Sequence, residues 1–127
     1  MSRIMIIEDD PNFRTTLSNL LCERYPTLDL KEVESGEEAM AILHVFSPDL
    51  VVTDIKLPGE SGLRVTQRIR EANPNVPVIV LTSYNDLEYE EAAYAAGATR
   101  FASKHETTAD EILWLVDSLM PETFRKP

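Results

Sequence analysis

The sequence lacks several features that would assign it to large classes of protein. It has one cysteine in 127 residues, Cys22, so it cannot form an internal disulfide, which suits a reducing compartment. No apolar run approaches the roughly 18 residues that a membrane span needs. The first segment, MSRIMIIEDD, reaches acidic residues after four apolar ones, which argues against a secretory signal. These absences predict a cytoplasmic protein that is not in the membrane.

Basic residues are also scarce. The chain has 12 Lys and Arg against 22 Asp and Glu, and its formal net charge is −10 at pH 7. Proteins that bind duplex nucleic acid need clustered Lys and Arg to contact the phosphates. The charge balance therefore argues against direct nucleic-acid binding. A length of 127 residues allows one domain with a hydrophobic core and is too short for two.

What the sequence does contain is an alternation of short apolar runs and longer amphipathic segments, repeated five times. The runs predicted as strands are Ile4–Ile7, Leu28–Val33, Leu50–Thr53, Val76–Leu81 and Thr99–Ala102. The first is continuously apolar, as is Val78–Leu81, which is typical of central strands covered on both faces. The second contains three charged residues and indicates a half-exposed edge strand.

Helix start and stop signals separate these runs. Starts are indicated at Pro11, Ser35, Ser61, Asn85 or Asp86, and Thr108, and ends at Asn73, Gly97 and Pro121. Ser35 with Glu38, and Thr108 with Glu111, have the spacing of a capping box. Five strand–helix alternations predict a parallel sheet with helices on both faces. Such sheets bind ligands at the carboxyl ends of their strands.

Polar residues that follow the first, third, fourth and fifth runs are candidates for a functional site. Glu8, Asp9 and Asp10 follow the first, Asp54 the third, Thr82 and Ser83 the fourth, and Lys104 the fifth. If they converge on one edge, neighbouring carboxylates repel by roughly 1–4 kcal/mol per pair at about 4 Å. A bound cation, a raised pKa or the lysine must offset that repulsion. Magnesium suits such oxygen ligands, and a carboxylate beside it can act as a nucleophile toward phosphorus.

Four segments together resemble the receiver domains of response regulators. They are IMIIEDDPNF, VVTDIKLPGESGL, PVIVLTSY and GATRFASK, in the order and spacing of that family, and the resemblance covers about residues 2–120. It implies an α/β, flavodoxin-like receiver fold: a doubly wound five-stranded parallel sheet of order 2-1-3-4-5 with five helices. It also implies a receiver domain over residues 1–120, with residues 121–127 as a tail or the start of a linker.

The resemblance implies a phosphoryl-acceptor site. Asp54 would accept a phosphoryl group from a sensor histidine kinase, a phosphotransfer protein or a small acyl phosphate. Asp9 and Asp54 would bind Mg²⁺ or Mn²⁺ directly, and Glu8 would act largely through water. The backbone carbonyl of Lys56 would complete the protein ligands.

The resemblance also implies a switch. Thr82 and Lys104 would contact the phosphoryl oxygens, and Phe101 would be the aromatic switch residue coupled to Thr82. Phosphorylation would reshape the face made by the last two helices and the fifth strand, which the family uses for homodimerisation and output. Such a domain catalyses only its own phosphorylation and dephosphorylation. Trp114 is predicted to point away from Val116, and it either packs against a neighbouring helix or joins that face.

Several residues depart from the usual pattern of the family. Glu8 replaces a commoner Asp, Ser83 stands where Ala or Gly is usual, and His105 stands where proline usually follows the lysine. The segment without proline resembles regulators that carry a helix-turn-helix output domain, which would lie beyond residue 127 and regulate transcription. Lys56 and Tyr84 lie two residues beyond the acceptor and the threonine. The hypothesis is that these two, with Ser83, modulate the lifetime of the phosphorylated state.

Other functions stay open at this stage. A receiver that never accepts phosphate would be a protein-interaction module. A magnesium phosphatase that resembles the haloacid dehalogenases needs a second acid at the position of Lys56. A flavodoxin-like redox carrier would bind a phosphate where Glu8 and Asp9 would repel it. His44 and His105 have no partner at ligand spacing, and Cys22 is interpreted as a semi-buried small hydrophobe.

Overall fold

A computed structural model describes residues 2–120 and shows one parallel sheet with helices on both faces. The elements are β1 (Arg3–Ile7), α1 (Pro11–Arg24), β2 (Asp29–Val33), α2 (Gly36–Phe46), β3 (Leu50–Thr53), α3 (Gly62–Ala72), β4 (Val78–Thr82), α4 (Leu87–Ala96), β5 (Arg100–Ser103) and α5 (Ala109–Leu119). The strand order is β2-β1-β3-β4-β5, and all four pairings are parallel. The predicted fold and strand order are confirmed. The tail at 121–127 and the predicted helix end at Pro121 lie outside the described residues.

Strand β4 begins later than the apolar pattern predicts. Val76 is buried but precedes the strand, and it is followed by Pro77, which lacks a backbone N–H for the sheet. The apolar run therefore predicts which residues are buried, and it extends beyond the residues that pair in the sheet. The weak fifth run does form a strand, because Arg100–Ser103 pairs in register with Ile79–Thr82.

The sheet separates two hydrophobic cores, because successive strand residues point to opposite faces. Ile4 and Ile6 pack with Leu17 and Leu21 of α1 and with Val116 of α5. On the other face, strand residues pack against α2 and α3: Met5, Ile7, Val51 and Val78 contact a cluster that includes Ala39, Leu43, Val65 and Ile69. The two cores pack the helices against both faces of the sheet and so hold the strands in place.

The interpretation of Cys22 as semi-buried is wrong, because the side chain is exposed. Leu17 and Leu21 turn toward the sheet, and Cys22 lies about 100° further around the helix, away from it. Trp114, on the outer side of α5, is 67% exposed.

The predicted helix caps are mostly present, with one difference at α2 and one at α4, where Asp86 is the cap residue but its side chain accepts no cap hydrogen bond. Thr108 and Glu111 form a complete capping box at α5. Ser35 accepts a hydrogen bond from the Glu38 N–H, but the Glu38 carboxylate accepts from Glu34 rather than from the cap residue. The spacing thus predicts the cap correctly but not its reciprocal bond. Among residues 2–120, no helix has the length and apolar character that crossing a membrane requires.

Candidate functional site

Parallel pairing brings the ends of β1, β3, β4 and β5 to one edge of the sheet. Ile7 is in register with Thr53, so Glu8 and Asp54 follow their strands side by side. The Asp54 N–H donates to the Ile7 carbonyl at 3.1 Å, and the Lys104 N–H donates to the Thr82 carbonyl at 2.9 Å. Backbone hydrogen bonds therefore fix where each of these side chains leaves the sheet.

Three carboxylates meet at this edge. One oxygen from each of Glu8, Asp9 and Asp54 lies within 4.8 Å of the others. Glu8 and Asp54 are buried, whereas Asp9 is exposed and opens the cluster to solvent. An all-oxygen set of carboxylates suits a hard divalent cation such as Mg²⁺. Lys56, whose carbonyl was predicted as a further ligand, follows Asp54 by two residues and has an exposed side chain.

A buried lysine lies between two of these acids. The Nζ of Lys104 is 2.6 Å from Glu8 Oε1 and 2.8 Å from Asp54 Oδ2, and its side chain is only 7% exposed. The second oxygen of Asp54, Oδ1, accepts from the Ile55 N–H at 2.6 Å. Both acceptor oxygens of Asp54 are thus held by donors, and its carboxylate has a fixed orientation.

Burial and neighbouring charges shift the pKa values of Glu8 and Lys104. Burial raises the pKa of Glu8 above its ordinary value; hydrogen bonds from Lys104 and from the Asp10 N–H oppose that rise, and the charge of Asp54 adds to it. Burial alone would lower the pKa of Lys104, but hydrogen bonds to Asp54 and Glu8 and the charges of both acids raise it overall. Lys104 therefore stays charged and partly neutralises the cluster.

Among the described residues, Thr82 makes no hydrogen bond to Asp54. Its side chain is fully buried, and its Oγ1 accepts from the Tyr84 N–H at 3.3 Å. Phe101 is half-buried and packs against the small cluster of Ile55, Val80 and Ala93, below the site. The predicted switch residue Thr82 is thus hydrogen-bonded within its own loop, and Phe101 lies in an apolar cluster.

Two contacts join the loop after β4 to the loop after β5. Ser83 Oγ lies 3.2 Å from His105 Nε2, and the Asn85 amide donates to Glu106 at 2.8 Å. The Ser83 hydroxyl is exposed and contacts His105, so the two departures from the family pattern lie together. His44, by contrast, is exposed on α2.

Tyr84 and Tyr89 flank a cleft beside the site. Their ring centroids are 5.3 Å apart, and the cleft of about 380 Å³ between them and the β3–α3 loop is also lined by Lys56 and Leu63. Lys56 and Tyr84, which were predicted to act on the same state, therefore lie on a shared surface.

The sequence did not reveal two further neighbours of the site. One is Phe13 of α1, whose ring centroid lies 4.5 Å from Lys104 Nζ. Arg14 donates to the backbone carbonyl of Glu8 at 2.7 Å. Both contacts depend on the position of α1 relative to the end of the sheet. The spacing of residues along the chain does not predict that position.

The chain is similar to known regulators. The family model for the response regulator receiver domain matches residues 4–117. The transcriptional activator protein ExaE of Pseudomonas putida is 37% identical over 101 residues, which are 80% of this chain and 47% of that protein. The DNA-binding transcriptional regulator NtrC of Klebsiella pneumoniae is 34% identical over 112 residues, which are 88% of this chain and 23% of that protein.

A solved structure agrees with these matches. The BeF3-activated DrrB receiver domain is 27% identical, covers 94% of this chain and 97% of its own, and superposes with a TM-score of 0.83. The chain spans about half the length, or less, of the curated relatives described above. Sequence, sheet order and the matched range agree, and the chain belongs to the receiver domains of two-component response regulators.

Proposed function

We propose that this chain is a phospho-accepting signalling switch of a phosphorelay, in which Asp54 takes a phosphoryl group from a sensor histidine kinase or a phosphotransfer protein. The observation that carries the proposal is the carboxylate of Asp54, which is held beside Glu8 and Asp9 and lies 2.8 Å from the Lys104 ammonium. A nucleophilic acid, further metal-binding oxygens and a fixed cation are the parts that phosphoryl transfer to a carboxylate needs.

The chemistry follows from the positions of these groups. An Asp54 oxygen forms a bond to phosphorus while the P–N bond of the donor phosphohistidine breaks and its electron pair returns to the imidazole nitrogen. Asp9 and Asp54 would hold Mg²⁺ or Mn²⁺, with Glu8 acting through water and the Lys56 carbonyl as a further ligand. The bound cation would neutralise charge on the transferring group. Lys104 adds a second positive charge at Asp54 Oδ2, while the Ile55 N–H donates to Oδ1.

The switch would pass through Thr82. Its hydroxyl, which now accepts from the Tyr84 N–H, would turn to the phosphoryl oxygens and carry the β4–α4 loop with it. Phe101 packs in the cluster of Val80 from β4 and Ala93 from α4, the elements on either side of that loop, and would follow. On the surface of α4, β5 and α5, the side chains of Leu87 and Trp114 are 68% and 67% exposed. The movement would change which partners this surface binds, including a second copy of this chain.

The same proposal includes the cellular location and the role of the whole protein. A receiver domain over residues 1–120 would act in the cytoplasm, with no direct contact to nucleic acid, and catalyse only its own phosphorylation and dephosphorylation. The relatives ExaE and NtrC are named as transcriptional regulators, which supports a role in transcription through a further domain.

Incubation with acetyl phosphate and MgCl₂ tests the proposal. We expect intact-mass spectrometry to show one added phosphoryl group per chain. Excess EDTA should slow the labelling at least about tenfold, because the cation that offsets charge on the phosphoryl group is removed. A chain that stays unmodified at saturating donor and Mg²⁺ would instead be a protein-interaction module.

Lys56→Ala and Tyr84→Ala should each shorten the life of the phosphorylated state. Both side chains border the cleft beside the acceptor, so removing either opens a route for the attacking water. We expect dephosphorylation to accelerate about threefold or more, which is about 0.6 kcal/mol of barrier. Loss of label after donor removal measures the rate, and His44→Ala on the exposed side of α2 serves as the control. Unchanged rates in both variants would contradict the modulating role.

A further inference from the structure

Phe13 has a defined position at the start of α1. Asp10 caps the helix by accepting from the Asn12 N–H, and Pro11 occupies the first turn. Phe13 lies in the same first turn, directly after the acidic end of β1. The ring of Phe13 then lies above the Lys104 ammonium, with 4.5 Å between Nζ and the ring centroid.

Lys104 is nearly excluded from water. Its ammonium has three N–H donors, and its charged partners among residues 2–120 are the carboxylates of Glu8 and Asp54. The face of an aromatic ring carries negative potential, and it attracts a cation most strongly where water is excluded. The ring of Phe13 therefore adds a third favourable contact from a direction that no carboxylate occupies.

Phosphorylation would affect the three contacts of the Lys104 ammonium, with Glu8, Asp54 and the Phe13 ring, in different ways. Both acids belong to the proposed metal site, so the arrival of a phosphoryl group and a cation changes their charge balance. Lys104 must then give up part of its contact with Glu8 or Asp54 to reach the phosphoryl oxygens. The ring is neutral and binds no metal, so its contact with the ammonium is the one that this exchange leaves intact.

We infer that Phe13 is a positioning residue, whose ring holds the Lys104 ammonium at the acceptor while its carboxylate partners are exchanged. The inference rests on the proposed function and adds a residue to it. The simpler reading is that Phe13 only fills the core beside α1, because its ring also packs against the cluster on that face of the sheet. The two readings differ in whether the effect of Phe13 depends on Lys104.

A double-mutant cycle separates the two readings. Initial labelling rates with acetyl phosphate and MgCl₂ are measured by intact mass for the parent, Phe13→Leu and Phe13→Tyr. The two substitutions at Phe13 are then repeated with Lys104→Met. We expect Phe13→Leu to label about fivefold more slowly than the parent, and Phe13→Tyr, which keeps the ring face, to stay within about twofold. In the Lys104→Met background the Leu and Tyr variants should label at the same rate.

Controls keep the outcomes distinct. Leu28→Val loses volume in the same core cluster and should lower the melting temperature without slowing the labelling. Phe13→Met keeps most of the volume without a ring, and it replaces Phe13→Leu if that variant fails to fold. If Lys104→Met labels too slowly to time, the comparison of Met with Tyr at position 13 decides the question.

Three results overturn the inference. One is a Phe13→Leu labelling rate equal to that of the parent. Another is a Phe13→Leu substitution that slows labelling by the same factor in the parent and in the Lys104→Met background. The third is a parent that does not label at all, which also removes the proposed function. A parent that labels normally while Phe13→Leu has no effect removes only the role of Phe13.

Discussion

Asp54→Asn is expected to lower phosphoryl labelling by at least about a hundredfold, to the background of the assay. The amide has no anionic oxygen to attack phosphorus, and it is a poor ligand for a hard cation. Its oxygen can still accept from the Ile55 N–H or from Lys104, so the fold should survive the change. Intact mass after incubation with acetyl phosphate and MgCl₂ measures the loss, and circular dichroism confirms the fold.

Asp10→Asn is the matched control for that experiment. Asp10 lies one residue from the acidic cluster, is exposed, and caps α1 by accepting from the Asn12 N–H. Asparagine keeps that cap, so labelling should stay within about twofold of the parent. An Asp54→Asn chain that labels as well as the parent would assign the acceptor to another residue, which peptide mapping would then identify.

The parts of the fold that the sequence predicts best are those that depend on local pattern. β1 and β4 contain the uninterrupted apolar runs Ile4–Ile7 and Val78–Leu81, because a central parallel strand is covered on both faces. Thr108 with Glu111 predicts a cap that depends on residues within one turn. The meeting of Asp9 with Asp54 follows in turn from the parallel topology, since parallel strands end at the same edge.

The parts that the sequence does not predict depend on tertiary packing. The ring of Phe13 reaches Lys104 only because α1 begins at the edge where β5 ends, and an aromatic residue on an inward helix face looks like core. Ser83 and His105 each look like isolated departures from the family pattern, yet their side chains meet at 3.2 Å. Whether the Thr82 hydroxyl faces the acids or its own loop is likewise decided by the loop conformation.

Gly62→Ala should reduce the free energy of unfolding by at least about 3 kcal/mol. Gly62 begins α3, and its N–H donates to the Ile55 carbonyl at 2.6 Å. A Cβ at this position would lie 1.7 Å from the backbone oxygen of Asp54 and 2.9 Å from the Ile55 Cα. These are backbone atoms of the acceptor segment, so the clash cannot be relieved by turning a side chain. Urea unfolding measures the loss.

Gly59→Ala distinguishes this clash from the loss of a flexible residue. Gly59 lies in the loop before α3 with φ of 75°, but a Cβ there meets no atom within 4 Å. The substitution should therefore cost only the roughly 1–2 kcal/mol of a left-handed backbone and leave labelling near the parent rate. Gly62→Ala must instead push α3 away from Asp54, so its labelling rate should fall together with its stability. Equal stability of the Gly62→Ala and Gly59→Ala variants would contradict the close packing of α3 against the backbone of Asp54. The start of α3 would then not contribute to the fixed orientation of Asp54.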